Sequence, residues 1–130
     1  MEKWKIESAE APRALGPYSQ GIAARPGTLI FVSGQLGLDP ATGSLVGDTV
    51  GLQTERALAN VLAIVRARGG DQASIVKTTV YLRRLEDFAA MNEVYSKLLL
   101  PPYPARSCIG GCDLPKAALV EIEAFAVLAS

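Results

Sequence analysis

The sequence predicts an α+β fold in which two helices cover one face of a single sheet. Segments rich in β-branched residues alternate with two segments that carry apolar residues at helical spacing, in the order strands, helix, strand, helix, strands. Each helical segment has only one apolar stripe, so both helices are expected on the same side of the sheet. At 130 residues, the chain is expected to form one domain over 1–130.

The first strand and the first helix are marked by turn and capping residues. A β-rich apolar run over Leu29–Gln35 is followed by the turn residues Asp39-Pro40. Either Asp48 or Thr49 can cap the helix, because both side chains accept hydrogen bonds from backbone N–H groups of a first helical turn. Gly69-Gly70 is expected to end it. Its apolar stripe, spaced i, i+3, i+4 and i+7, consists of Leu58, Val61, Leu62 and Val65.

A strand over Ser74–Leu82 and a second helix from Glu86 to Leu99 follow. The strand alternates in polarity and is rich in β-branched residues. Pro101-Pro102 is expected to end the helix, because proline lacks the N–H that continues one. The apolar stripe of this helix consists of Phe88, Met91, Tyr95 and Leu98.

The last strand, Leu119–Leu128, separates apolar from acidic side chains. One face is apolar throughout and is expected to meet the helices, whereas the other carries Glu121 and Glu123. The side of the sheet away from the helices also holds residues that are too apolar for solvent, so we expect it to associate with other copies of the chain. These residues are Ile75, Thr79, Tyr81, Phe125 and Val127.

Composition and charge exclude several functional classes. The chain has 13 basic and 13 acidic residues and no histidine. The lack of histidine removes Ser-His-Asp and Cys-His nucleophile pairs and imidazole acid–base chemistry. Zero net charge and the lack of a basic run argue against a nucleic-acid partner. The N-terminus has no apolar signal region, and no run is long enough to span a bilayer, so we expect a cytoplasmic protein without a membrane partner.

The two cysteines, Cys108 and Cys112, do not predict a metal site or a disulfide framework. They are four residues apart, and no further cysteine or histidine can complete a tetrahedral zinc site within one chain. We expect two reduced, buried thiols, no metal and no cofactor.

Arg106 is the first candidate functional residue. It lies in the short apolar segment Pro104-Ala105-Arg106-Ser107-Cys108. Its planar guanidinium suits a carboxylate, which it can hold through two parallel hydrogen bonds. The alternative is a structural arginine paired with Glu121 or Glu123.

The two glutamates and two loop segments are the other candidates. Glu121 and Glu123 either form structural ion pairs with Lys77 or Arg106, or one of them handles a proton in a site next to Arg106. Tyr18 in Gly16-Pro17-Tyr18-Ser19-Gln20 is either a loop anchor or a phenol at a pocket rim. Gly34, near the end of the first strand, permits close approach of a ligand.

Several short motifs together resemble the RidA/YjgF family of enamine and imine deaminases. The similarity covers essentially the whole chain, and the motifs occur in the family's order. They are Ala11-Pro12, Gly16-Pro17-Tyr18-Ser19-Gln20, Ser33-Gly34-Gln35, Val76-Lys77-Thr78-Thr79-Val80, Phe88 with Met91-Asn92, Pro104-Ala105-Arg106-Ser107-Cys108, Leu114-Pro115 and Glu121-Ile122-Glu123.

The resemblance implies a chorismate-mutase-like fold, a homotrimer and three sites between subunits. It assigns Arg106 to the substrate carboxylate and Glu121 to the positioning of the hydrolytic water. Pocket-lining positions are implied for Tyr18, Gly34, Asn92 and Cys108, the last through its backbone. The chain departs from the family at Gly110-Gly111, where an alternating apolar strand is usual and a bulge is expected instead.

The expected function is hydrolysis of reactive 2-enamino and 2-imino acids, such as 2-iminobutanoate and 2-iminopropanoate, to 2-oxo acids and ammonia. An iminium is already electrophilic, so positioning and one proton-handling group suffice without a metal or cofactor. The family has also been labelled as endoribonucleases and translation inhibitors. That activity is one alternative, and a non-catalytic role as a 2-oxo-acid-binding or chaperone-like protein is the other.

Overall fold

A computed structural model describes residues 2–25 and 27–129. Two helices pack on a four-stranded mixed sheet, and a two-stranded sheet lies beside it. In chain order the elements are β1 (Lys3–Ile6), β2 (Gly21–Ala24), β3 (Thr28–Leu36), α1 (Val50–Ala67), β4 (Ile75–Leu82), α2 (Phe88–Leu98), β5 (Ala105–Ile109) and β6 (Val120–Leu128).

The main sheet has the strand order β3-β6-β4-β5. β6 pairs antiparallel with both β3 and β4, whereas β5 pairs parallel with β4. β1 and β2 form a separate antiparallel pair, which the sequence did not predict. The prediction of an α+β fold with two helices on one sheet face is confirmed for the main sheet, since both helices contribute to one core.

Both helices begin and end close to their predicted boundaries. Thr49 caps α1, because its side chain accepts a hydrogen bond from the Leu52 N–H at 3.3 Å. α2 begins at Phe88, two residues later than predicted, because Leu85–Asp87 form a 3-10 turn first. The predicted stripe of α1 is buried, as are Met91 and Tyr95 of α2. Among the described residues, no helix is long and apolar enough to cross a bilayer.

The two faces of β6 are as predicted, but one residue of β4 is not. Glu121 and Glu123 lie on the face away from the helices, and Phe125 packs there edge-to-face on Phe31 at 5.3 Å between ring centroids. Ile75 was expected on that face too, yet it is 0% exposed. A register shift between Ile75 and Lys77 explains the error, because the extra residue turns Ile75 to the helix-covered side.

The glycine pair at 110–111 ends a strand and does not form a bulge inside one. β5 stops at Ile109, and Gly111 has φ of 74°, a conformation that favours glycine. A Cβ on Gly110 would lie 2.7 Å from the Cβ of Leu85, so this position also needs a glycine for close packing. The chain then returns to β4, where the Cys112 N–H donates to the Leu82 carbonyl at 3.0 Å.

Candidate active site

The Arg106 side chain lies among three aromatic rings on the helix-covered side of the sheet. Arg106 is opposite Thr78 in the β4–β5 ladder, and its Nη1 donates to Asn92 Oδ1 at 2.6 Å. Its Cζ is within cation–π range of three ring centroids, at 5.5 Å for Tyr18, 5.5 Å for Phe88 and 5.0 Å for Tyr95. The rings and the amide orient the guanidinium.

We call the four side chains around the guanidinium, those of Tyr18, Phe88, Asn92 and Tyr95, the Arg106 cage. α2 provides three of them through its helical spacing. Phe88, Asn92 and Tyr95 are at i, i+4 and i+7, so they lie along one face of the helix. The family resemblance implies a pocket-lining role for Asn92, whereas Phe88 was part of a motif without a role and Tyr95 was part of the apolar stripe alone. A polar amide between two aromatic residues on a core-facing helix was the signal that could have identified the cage.

Tyr18 reaches the cage because its neighbours fasten the loop to β5. The Ser19 N–H donates to the Pro104 carbonyl at 3.1 Å, and the Ser19 hydroxyl donates to the Tyr103 carbonyl at 2.5 Å. The Gln20 side chain makes hydrogen bonds to the backbone of 8–12. Tyr18 thus lies in an anchored loop and packs against the guanidinium, and its predicted role at a pocket rim stays a prediction.

No acidic residue of the chain neutralises Arg106 in the described structure. The ion pairs of residues 2–25 and 27–129 all join other side chains. Glu121 and Glu123 lie on the opposite face of the sheet, so the alternative in which either one pairs with Arg106 within one chain is wrong. A half-buried guanidinium with one neutral hydrogen-bond partner keeps donors for an anion.

Glu121 lies in a gap that Gly34 creates in the neighbouring strand. The β3–β6 register shifts between Val32 and Gln35, so the backbone at Ser33 and Gly34 bulges. A Cβ on Gly34 would be 1.9 Å from Glu121 Oε2, which is far too close for two non-bonded atoms. The absence of a side chain at Gly34 therefore makes room for the Glu121 carboxylate, and the predicted approach of a ligand at this position stays a prediction.

Glu123 and Lys77 find partners other than each other. The Tyr81 hydroxyl donates to Glu123 Oε1, and this hydrogen bond raises the pKa of Tyr81. Lys77 Nζ donates to Ser107 Oγ at 3.3 Å. By contrast, no hydrogen bond or ion pair among the described residues occupies the Glu121 carboxylate, so it can interact with water or substrate.

Cys108 lies two residues after Arg106 and on the same face of β5. Both Cys108 and Cys112 are free thiols, and both are only half-buried, not fully buried as predicted. Burial raises the pKa of the Cys108 thiol, with the Arg106 charge acting in the opposite direction. Within the described part of the chain, no group of three or more cysteine, aspartate or glutamate side chains could hold a metal ion.

The predicted site residues therefore form two clusters in one chain. Arg106, Tyr18, Asn92 and Cys108 belong to one cluster, and Glu121 and Gly34 belong to the other, across the sheet. A cavity of about 420 Å³ adjoins the first cluster at Tyr18, but neither Arg106 nor Glu121 lines it.

Tyr95 should make the protein sensitive to alkali. Burial raises its pKa to about 12, although the Thr78 hydroxyl and the Arg106 charge lower it. The unfolded chain ionises Tyr95 near its usual value of 10.0, so stability is intact below that pH and is lost as pH rises towards 12. The loss amounts to about 1.4 kcal/mol per pH unit. Urea unfolding over this range checks it: Tyr95→Phe should flatten the decline, and Tyr103→Phe should not. Equal slopes in all three proteins would contradict the assignment.

Comparisons with known proteins match nearly the whole chain. Residues 8–128 match the family described as Endoribonuclease L-PSP. The RutC family protein y4sK of Sinorhizobium fredii is 51% identical over 119 residues, which are 92% of this chain and 93% of that protein. The 2-iminobutanoate/2-iminopropanoate deaminase of Capra hircus is 44% identical over 122 residues, 94% of this chain and 88% of that protein.

A solved structure shares the fold as well as the sequence. E. coli TdcF with bound serine superposes with a TM-score of 0.73 at 42% identity, over 97% of this chain and 99% of that one. The chain therefore shares sequence with these proteins, and fold with the solved structure, over nearly its whole length. The chain belongs to the RidA/YjgF family, whose members are also described as Endoribonuclease L-PSP.

Proposed function

We propose that the protein is a hydrolytic deaminase that converts reactive 2-imino acids, and their 2-enamino tautomers, to 2-oxo acids and ammonia. The caged Arg106 carries the proposal. It is a fixed cation, oriented by Asn92 at 2.6 Å, with no acidic partner among the described residues. Such a group suits the carboxylate that every 2-imino acid bears. The goat relative, named for this activity, supports the same substrate class.

The proposed site is completed by a second copy of the chain. One chain holds Arg106 and Glu121 on opposite faces of its sheet, so they cannot act on one small substrate together. The face with Glu121 also exposes large apolar side chains, including Leu29, Phe31 and Phe125 at 59%, 69% and 44% exposure. Packing of this face against a neighbouring copy would bring the Glu121 of one chain near the Arg106 of another.

In the proposed mechanism, most of the rate acceleration comes from the positioning of the substrate. Arg106 fixes the substrate carboxylate through two hydrogen bonds, and the aromatic rings limit the movement of the guanidinium. The Glu121 carboxylate accepts a proton from water as the water oxygen attacks the imine carbon. The proton then passes to the nitrogen of the tetrahedral intermediate. As the C–N bond breaks and ammonia leaves, the carbinol hydroxyl gives its proton to Glu121 and becomes the carbonyl of the 2-oxo acid.

The assembly is expected to be a homotrimer. Light scattering during gel filtration should give three times the chain mass of 13.7 kDa at micromolar concentration. The physical reason is the exposed apolar face, which costs free energy in water unless another copy covers it. Phe31→Glu should shift the mass downwards, whereas Leu52→Glu on the outer surface of α1 is the matched control. A monomer mass for the unaltered protein would overturn the shared site.

A coupled assay tests the function directly. An amino-acid oxidase or a threonine dehydratase generates the imine in place, and release of 2-oxo acid above the spontaneous rate is measured. Acceleration that depends on Arg106 supports the proposal. Tight binding of 2-oxobutanoate without acceleration would instead indicate the non-catalytic binding role.

The family's description keeps endoribonuclease activity as the alternative. The chain has no histidine and a formal charge of zero, which disfavours both acid–base cleavage of RNA and the binding of its phosphates. Incubation of RNA with the purified protein and with an Arg106→Ala variant tests this. RNA cleavage that the variant lacks would replace the deaminase proposal.

A further inference from the structure

A buried hydrogen bond lies directly beneath the Arg106 cage. Thr78 Oγ1 and the Tyr95 hydroxyl are 2.7 Å apart, and both residues are 0% exposed. This bond joins β4 to α2, the element that supplies most of the cage. A buried hydroxyl group destabilises the folded protein unless it has a hydrogen-bond partner. The loss of either hydroxyl would therefore leave the other unpaired next to Arg106.

Thr78, Tyr95 and Arg106 form a closed triangle across three elements. Thr78 is directly opposite Arg106 in the β4–β5 ladder. The Tyr95 ring is the nearest of the three rings to the guanidinium, with 5.0 Å between its centroid and Cζ. Asn92, which holds Nη1, is one turn earlier on the same helix. A shift of Tyr95 against Thr78 would therefore displace both the ring and the amide that orient Arg106.

The three rings of the cage are not equivalent. Phe88 is 37% exposed and Tyr18 is half-buried, and both lie at the rim of the cage. Tyr95 is fully enclosed and forms the floor. Packing alone leaves a ring free to slide along its own plane, whereas a hydrogen bond at its tip fixes that coordinate.

We propose that Thr78 and Tyr95 are positioning residues for Arg106, and that their hydroxyl–hydroxyl bond sets the depth at which the guanidinium sits. Neither side chain touches the substrate. The hydrogen bond holds the Tyr95 ring in place, and the ring positions the Arg106 guanidinium. The guanidinium in turn positions the substrate carboxylate. This inference rests on the proposed function, because it assumes that Arg106 binds the substrate carboxylate.

Two near-isosteric variants test the bond without removing the ring or the cation. Thr78→Val and Tyr95→Phe should each raise the KM for a 2-imino acid about tenfold, which corresponds to about 1.4 kcal/mol of lost carboxylate binding. The kcat should change less than threefold, since the carboxylate grip is present in both ground and transition states. An unchanged KM in both variants would overturn the proposal.

A double variant separates positioning from simple loss of stability. Each single variant leaves one buried hydroxyl unpaired and should lower Tm, whereas Thr78→Val/Tyr95→Phe removes both partners and should recover most of it. KM should stay raised in the double variant, because the floor is no longer fixed. Val65→Ala, in the core at the far end of α1, should lower Tm without changing KM. A KM that follows Tm across all four proteins would assign the bond a structural role only.

NMR spectroscopy tests the position of the Arg106 side chain independently of enzyme activity. We expect the three rings near the guanidinium to shift the Nε–H resonance of Arg106 through their ring currents, and loss of that resonance in Arg106→Ala assigns it. The resonance should move or broaden in Thr78→Val and stay unchanged in Val65→Ala.

If Arg106→Ala leaves KM unchanged, the proposal that Arg106 binds the substrate carboxylate itself fails. If Arg106→Ala abolishes activity while both hydroxyl variants resemble the unaltered protein in KM and resonance, only the positioning role fails.

Discussion

Replacing Arg106 with alanine is expected to lower kcat/KM for 2-imino acids at least about a hundredfold, since the substrate loses its fixed orientation. The protein should remain folded. The variant loses one hydrogen bond and cation–π contacts that contribute about 1–2 kcal/mol together. A structural ion pair would behave differently, because its loss leaves a buried acid unpaired and costs about 3–5 kcal/mol. The coupled assay and a thermal melt on the same sample distinguish the two.

Arg106→Lys sharpens the same experiment. An ammonium keeps the charge but cannot form two coplanar hydrogen bonds or stack flat on the rings, so little activity should return. Arg25→Ala is the matched control, since Arg25 makes an ion pair with Glu2 and packs over Trp4 at 5.9 Å, away from the site. If Arg106→Ala keeps ordinary activity, or if its Tm is far below that of the control, Arg106 does not serve to bind the substrate carboxylate.

Gly34→Ala is expected to reduce activity about as much as Glu121→Ala. The new methyl group would be 1.9 Å from Glu121 Oε2, so the carboxylate must leave its place beside the bulge. The backbone of Gly34 is not in the left-handed region, so alanine adds no conformational strain of its own there. We expect a loss of 10²–10⁴-fold in kcat for Glu121→Ala, the range of a general base, and the coupled assay measures it.

Non-additivity is the decisive feature of this second result. If Gly34 matters only as the seat of Glu121, the Gly34→Ala/Glu121→Ala double variant should be no worse than Glu121→Ala alone. Gly51→Ala in α1 is the control, because its Cβ would meet Val94 at an ordinary 3.6 Å. Full activity in Gly34→Ala, or independent losses that multiply in the double variant, would show that Glu121 is not held by this bulge.

The periodic elements could be predicted from the sequence because their signals are local. The stripe at 58–65 fixed the buried face of α1, and strict alternation fixed both faces of β6. The β-bulge at Ile75 could not be predicted, since one extra residue depends on how β4 pairs with β6 and leaves no mark in the local pattern. β1 and β2 were missed because four-residue strands carry too few residues for a clear period.

The sequence motifs name candidate site residues, but they could not predict how those residues are arranged. Family motifs pointed to Arg106 and Glu121. Residue spacing alone does not predict that the Arg106 side chain lies on the side of α2 and the Glu121 side chain on the opposite face of the sheet. Which strand pairs with which, and in what direction, is decided by contacts far apart in sequence. The hydrogen bond between Thr78 and Tyr95 could not be predicted for the same reason, because the two residues are 17 positions apart and meet only after folding.

The opposite placement of Arg106 and Glu121 has a thermodynamic consequence for the proposed enzyme. A substrate that contacts both groups bridges two chains, so its binding free energy also holds the chains together. Occupancy at a hundred times Kd adds about 2.7 kcal/mol to the stability of the bound form. By reciprocity, whatever tightens association also tightens substrate binding. Substrate abundance and protein concentration then act on a single equilibrium, and an isolated chain carries two halves of different sites and no complete one.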